Sequence, residues 1–337
     1  MHRNQGRKPP MKAVLCKAYG PPDALILEEI TPPQADRHQV VIDVKVCGVS
    51  FPDTLLISGK YQFKPPMPFA PGGEVAGIVK AVGAEVTQFQ VGDRVAAFTG
   101  WGGFAEEVVT DVSRVQPLPD EIDFATGAAC SMTYATAYYA LKDRGQLKAG
   151  EKLLVLGASG GVGLASIEIG KAMGAHVIAA TSSAEKLEVC QQHGADKVIN
   201  YTTEDLKERV KALTGGNGVD VIFDPVGGAY AEPALRGMTW RGRYLVIGFA
   251  AGDIPRIPLN LVLLKGCEVV GVFWGTFATR EPERNRTYLQ ELFSLVATGK
   301  LRPLISTTYP LSRAADALND MLQRKVKGKV LLQIDEI

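Results

Sequence analysis

At 337 residues, with 46% hydrophobic and 22% charged side chains and a formal net charge of +1, the chain is long enough for two domains. The near balance of charge removes the electrostatic case for nucleic acid or an anionic membrane surface, and no apolar run approaches the ~18 residues of a membrane span. The five cysteines, Cys16, Cys47, Cys130, Cys190 and Cys267, form no CxxC pair and read as small buried hydrophobes in a reducing compartment.

Residues 1–10, MHRNQGRKPP, are basic and polar without the apolar stretch of a secretory signal. They read as a disordered leader, with a targeting fragment or a cloning remnant as alternatives, and the cytoplasm is the default location. From Met11 to about Thr110 the pattern is all-β. MKAVLCKAY, ALILEEI, QVVIDVKVCGV, EVAGIVKAVG, DRVAAF and GFAEEVVT cluster apolar and β-branched residues between Gly/Pro/Asp turns. Short strands at this spacing predict a compact, partly open barrel. Ser50 to Pro71 is less regular and carries Phe51, Tyr61, Phe63 and Phe69 among prolines. Such a loop suits either the wall of a binding cleft or a plug for one end of the barrel.

Phe124 to Lys142 reads as helical. Leu153 to Leu156 is then a short apolar run, the length of a strand buried on both faces. It breaks into GASGGVG, and apolar residues resume at helical spacing from Leu164. Ala158-x-Gly160-x-x-Gly163 thereby matches the dinucleotide fingerprint with Ala in first place. Gly160 lets backbone amides approach a pyrophosphate, Gly163 lets the helix lie close to the sheet, and the anion would sit at the helix N-terminus. A second strand, His176 to Ala180, ends where the ribose-reading residue belongs. No acid stands there; Thr181, Ser182 and Ser183 are followed by Glu185 and Lys186. Hydroxyls and an ammonium suit a 2′-phosphate, hence NADP over NAD. Ser182 or Ser183 also suits the N-cap of a helix starting near Ala184, and the two readings are compatible.

Strand candidates 152–156, 176–180, 197–199, 219–224, 243–248 and 267–273, with helical segments 186–192, 204–213 and 229–238, predict a doubly wound parallel sheet. From about Arg280 the chain holds two helices (284–298 and 312–324) and a closing strand from Lys329 to Ile334, expected to pack on the N-terminal domain. The fold class is thus α/β, with a ligand cleft expected at the carboxyl ends of the strands, between domains.

Taken together, CGVSFPDTLLISGKYQFKPPMPFAPGGEVAGIVKAVG, GDRV, GGFAEEVV, GASGGVG, DPVGG, GRYLVIGFAAG and GKVLL resemble the medium-chain dehydrogenase/reductase superfamily, and within it the zinc-free NADPH:quinone oxidoreductase branch. The resemblance covers Met11 to about Ile334. It implies a GroES-like catalytic domain over 11–131 and 276–337, an inserted Rossmann domain over 132–275, and a homodimer paired through edge strands near 267–273. It places NADPH contacts at Gly160, Gly161, Val162, Lys186 and Tyr201, and the nicotinamide side at Gly248, Phe249, Ala250 and Phe273. Lys329 reaches the same phosphate or caps the surface. The zinc enzymes of the superfamily carry a Cys after the CG-x pair and a GHE motif; here Ser50 and Gly73 stand in those places, and none of the four histidines lies within 50–75. No metal is expected.

Without a metal to polarise a carbonyl, catalysis rests on holding an electron-poor acceptor against the nicotinamide. The expected reaction is NADPH-dependent reduction of a quinone or activated alkene, walled by Phe51, Tyr61, Phe63, Thr133 and Trp274. Ser50 offers a hydroxyl to cofactor or substrate, and Tyr61 is the candidate proton donor, against a packing role. The alternatives are a 2-alkenal or enone reductase on the same fold and a non-catalytic NADPH- or RNA-binding protein, the RNA role disfavoured by the neutral charge.

Overall fold

The computed structural model describes residues 9–334; the leader expected over 1–10 lies outside them except for Pro9 and Pro10. The described chain forms two compact units. One comprises the described residues up to 132 together with those from 305 onward, and the other is Thr133–Leu304.

The first unit is built on β-structure. β1 (Met11–Leu15) and β2 (Ile26–Ile30) form an antiparallel ribbon. β3 (Gln39–Val49), α1 (Phe51–Ile57), β4 (Glu74–Val82), β5 (Arg94–Phe98), β6 (Glu107–Asp111), β7 (Val115–Pro117) and α2 (Phe124–Ala129) follow. β3 is the spine: its first half pairs with β6 and β4, and its second half with β4 and the chain's last strand. Val40, Ile42, Val44, Cys47, Val75 and Val95 point into one apolar core beside Phe104, the alternation that a half-buried strand imposes.

Helix α1 departs from the irregular loop expected after Ser50. Its start is encoded locally: Asp53 Oδ2 accepts from Ser50 N–H at 2.8 Å, and Pro52 sits in the first turn, where no donor is needed. The predicted helix over 124–142 is helical but irregular, with π-helical turns over Cys130–Tyr134 and Tyr139–Arg144 on either side of α3 (Ala135–Tyr138).

The second unit continues with β8 (Lys152–Leu156), α4 (Gly161–Ala172), β9 (His176–Thr181), α5 (Ala184–Gln192), β10 (Lys197–Asn200), α6 (Leu206–Leu213), β11 (Val219–Asp224), α7 (Ala231–Arg236), β12 (Met238–Val246), α8 (Leu259–Lys265), β13 (Glu268–Gly271), α9 (Trp274–Arg280) and α10 (Pro282–Ala297). The strands are parallel in the order β10-β9-β8-β11-β12-β13. This is the doubly wound sheet, with its order reversing beside β8. Back in the first unit, β14 (Ile305–Pro310), α11 (Ala314–Leu322) and β15 (Lys329–Gln333) complete the fold. β15 inserts between β14 and β3, giving a seven-stranded sheet in the order β14-β15-β3-β4-β5-β7, with β6 pairing β3 off that path.

Candidate active site

In the second unit, parallel strands make every β-to-α segment emerge from one edge of the sheet. β8 is buried along its apolar run because β9 and β11 flank it and helices cover its faces. The chain then turns at Gly157, whose φ of +57° is left-handed, and α4 starts behind Gly160. The two glycines of the bend have different jobs. A Cβ on Gly163 would lie 2.5 Å from Gly157 O and 2.6 Å from Ala158 O, so only glycine lets the helix pack on the strand. A Cβ on Gly160 would meet nothing nearer than Gly157 O at 3.4 Å. The fold tolerates a methyl there; what it would fill is the open side of the bend. The first helix-type backbone bond is Leu164 N–H to Gly160 O at 2.9 Å, which leaves the amides of Gly161, Val162 and Gly163 at the positive end of the helix. This cradle fits a dinucleotide pyrophosphate.

The bend is tied to the next strand, since Ser159 Oγ and Thr181 Oγ1 are 3.1 Å apart and both residues are buried. Ser182 follows in the turn. Ser183 is the N-cap of α5, its Oγ accepting from Lys186 N–H at 3.4 Å, so the capping role is present. Lys186 lies half-buried in the first turn of α5. Tyr201 leaves the end of β10, its N–H bound to Thr181 O at 3.1 Å and its ring 4.2 Å from that of Tyr230. Ser182, Ser183, Lys186 and Tyr201 therefore gather around the ends of β9 and β10. Gly248, Phe249 and Ala250 form the turn after β12, where Ala250 N–H donates to Pro225 O at 3.0 Å. Phe273 follows β13 and is 50% exposed. Trp274, expected on a pocket wall, is buried, and its indole N–H donates to Asn285 Oδ1 at 3.0 Å. Thr133 is buried in a π-helical turn.

Asp224, in the DPVGG stretch, was not singled out from the sequence. Its Oδ1 accepts from Val226 and Gly227 N–H at 2.7 and 2.8 Å, and its Oδ2 from the Tyr244 hydroxyl. Burial pushes its carboxyl up despite these donors. It shapes the turn after β11 and ties it to β12. Acid followed by Pro and a Gly pair was the signal available for it.

The first unit holds a buried charged cluster. Ser50 Oγ donates to Glu74 Oε1 at 2.7 Å. Lys329 Nζ donates to Ser50 Oγ at 2.5 Å and forms an ion pair with Glu74 Oε1. Glu74 Oε2 accepts from Met132 N–H at 3.1 Å. Lys329, expected either to reach the phosphate or to cap the surface, has a side chain 6% exposed and engaged with Glu74, so it is not a surface cap. Ser50 likewise has its hydroxyl engaged inside the protein. Asp53 stands next to this cluster, accepting from Ser50 N–H and, at 3.0 Å, from Gly72 N–H. Burial lifts its carboxyl from 3.8 to about 6, against the pull of those amides and Lys329.

Above α1, Tyr61 and Phe63 meet edge-on with ring centroids 4.9 Å apart, and Phe63 lies 5.8 Å from Trp101. Phe63 and Trp101 are each 37% exposed, while Phe51 is half-buried at the first position of α1. Trp101, separated from the aromatic loop by β4 and β5, was missed; only tertiary structure brings it there. Burial, then the charge of Asp53, raises the Tyr61 phenol.

Residues 36–120 match the family described as alcohol dehydrogenase GroES-like domain, and residues 161–294 the family described as zinc-binding dehydrogenase. The chain is 39% identical over 330 residues to the quinone oxidoreductase-like protein 2 homolog of Nematostella vectensis, covering 97% of this chain and 90% of that protein. Human quinone oxidoreductase is 34% identical over 325 residues, covering 96% and 97%. The chain belongs to the quinone oxidoreductase family of the medium-chain dehydrogenases/reductases. Within that family, the crystal structure of Escherichia coli quinone oxidoreductase complexed with NADPH superposes with a TM-score of 0.90 at 31% identity, covering 97% of this chain and all of that one.

Because one matched family is described by zinc, the fit of a metal to these residues decides something. The two positions that carry thiolate and imidazole in the zinc enzymes are Ser50 and Gly73. Glu74 is engaged by an ammonium, a hydroxyl and an amide. Cys47 lies in the apolar core, its Sγ donating to Gly48 O at 3.6 Å. Among the described residues no group of three or more His, Cys, Asp or Glu side chains is arranged to hold a metal ion. The donor set does not fit zinc.

Proposed function

We propose that this chain is an NADPH-dependent oxidoreductase that reduces quinones or similarly electron-poor acceptors without a metal. The observation that carries the reading is the open glycine bend at Gly160, followed along the same sheet edge by hydroxyls and Lys186 rather than an acid. The NADPH complex of the Escherichia coli relative supports it. Amides of Gly161, Val162 and Gly163 hold the pyrophosphate; Ser182, Ser183, Lys186 and Tyr201 hold the ribose phosphate; Gly248, Phe249, Ala250 and Phe273 face the nicotinamide half. Bound NADPH supplies the hydride. An acceptor that takes hydride readily needs orientation and a dry surface more than a Lewis acid, and Phe51, Tyr61, Phe63 and Trp101 supply the aromatic surface. Tyr61, its phenol held protonated by burial and Asp53, donates a hydrogen bond to the reduced acceptor's oxygen. Ser50 acts by positioning, through its bonds to Glu74 and Lys329. The working form is a homodimer paired along β13.

The test is steady-state turnover with NADPH of 1,4-benzoquinone, 1,2-naphthoquinone, acrolein and an enoyl thioester, on wild type and Tyr61→Phe. Quinones should give the highest kcat/KM, and Tyr61→Phe should lower kcat by roughly 10-fold or more, as loss of a positioned proton donor does. Preference for acrolein or the thioester would overturn the substrate assignment, and unchanged turnover in Tyr61→Phe would remove Tyr61 from the reaction.

A further inference from the structure

One cation stands at the edge of the aromatic surface assigned above to the acceptor, and the inference drawn from it rests on that assignment. Arg114 ends the short helical turn Val112–Arg114, just before β7. It is half-buried, and its guanidinium Nη1 donates to Thr99 O at 3.1 Å. The residue after Thr99, Gly100, has a φ of +83°. A Cβ built on Gly100 would meet Arg114 Nη1 at 3.8 Å and Phe63 Cζ at 4.0 Å, with nothing nearer. Guanidinium and ring edge therefore rim one open notch, and Trp101, next in the chain, lies 5.8 Å from Phe63. The left-handed backbone already calls for glycine at position 100; the same choice keeps the notch empty.

A brace for the turn over 99–103 would explain the Thr99 bond, but that turn is held without it. Thr99 and Gly100 N–H donate to Gly73 O at 2.8 and 3.1 Å, Gly102 N–H to Ala70 O at 2.8 Å, and Gly103 N–H to Gly72 O at 2.9 Å. Among the described residues Arg114 makes no ion pair, and the Thr99 bond occupies only one donor of its fork. Asp111, whose carboxylate feels the Arg114 charge, is engaged by the N–H and hydroxyl of Ser113 at 2.9 and 2.5 Å. A guanidinium anchored at one nitrogen, with free donors beside exposed aromatic rings, matches an oxyanion carried on a flat ring. We propose that Arg114 binds the anionic substituent, a carboxylate or sulfonate, of an aromatic ligand lying on Phe63 and Trp101, and so selects negatively charged quinones as acceptors.

Two measurements on wild type, Arg114→Gln and Arg114→Lys test this. The first, independent of turnover, is calorimetric binding of 2-naphthalenesulfonate against its neutral sulfonamide. The second is kcat/KM with NADPH for 1,2-naphthoquinone-4-sulfonate against 1,2-naphthoquinone. Wild type should bind the sulfonate roughly 10-fold or more tightly than the sulfonamide, as a charge-assisted contact does, and that preference should shrink as NaCl is raised. Arg114→Gln should erase the binding preference and lower the ratio of sulfonated to neutral quinone turnover by a similar factor, through KM; Arg114→Lys should keep part of both. Equal binding of the two naphthalenes by wild type would overturn the proposal, a result that needs no variant to fold. So would ratios unchanged in Arg114→Gln, or a parallel loss of both ligands, which would make Arg114 a brace. Selective binding with no turnover of either quinone would uphold the anion site and overturn the oxidoreductase reading instead.

Discussion

At the level of single residues, the two glycines of the bend separate fold from function. Gly163→Ala forces a methyl against two carbonyl oxygens and is expected to cost about 1–3 kcal/mol in urea unfolding, as overpacking does. Gly160→Ala meets ordinary contact distances; it should unfold like wild type yet bind NADPH more weakly in a fluorescence titration. Equal effects of the two on stability would contradict that division. Asp53 supplies a pH signature. Its folded carboxyl, at about 6, lies above the ordinary 3.8, so the protonated form favours the fold. That contribution is complete below about pH 4 and is lost as pH rises through about 6, on the order of 2–3 kcal/mol in all. Asp53→Asn does not titrate, so wild-type stability minus variant stability should fall across that window; a flat difference would contradict it. The glycine spacing and the absence of zinc-type residues at 50 and 73 were legible as sequence. The role of Lys329 was not, because its partners lie 255 and 279 residues away along the chain and no local pattern marks a long-range buried pair.

At the level of elements, periodicity located β8 and β11 at their observed bounds, since the apolar runs Leu153–Leu156 and Val221–Phe223 lie inside a parallel sheet. β12 begins earlier than expected, at Met238, because Trp240 and Arg241 interrupt the apolar pattern where that strand is exposed. Helix α8 was missed for a related reason. Leu259, Leu263 and Leu264 are 78%, 78% and 70% exposed, so its pattern does not report burial in this chain. They flank β13, the open edge of the six-stranded sheet, on which Val269 is also exposed. An unpaired edge beside exposed leucines is what a pairing surface requires. Sedimentation should give a dimer for wild type and a monomer for Leu263→Asp, with cofactor affinity retained; a wild-type monomer would contradict pairing along β13.

At the level of the whole molecule, the two units divide the work. The β-rich unit carries an aromatic surface and an internally neutralised polar cluster, while the parallel sheet presents a cradle for a phosphorylated dinucleotide. No helix among the described residues is long and apolar enough to cross a membrane. Family membership was legible from motifs spread over nearly the whole chain, because each motif reports a backbone constraint that the fold imposes. The proposed acceptor surface was less so, since Tyr61 and Phe63 meet Trp101 only across separate segments. The central claim is that Lys186 and the open bend make this an NADPH enzyme, and calorimetric titration of wild type and Lys186→Ala with NADPH and NADH tests it most directly. Wild type should prefer NADPH, and the variant should lose roughly 10–100-fold in NADPH affinity with NADH affinity unchanged, the worth of one charge-assisted contact. Equal losses for both cofactors, or no binding of NADPH by wild type, would contradict it.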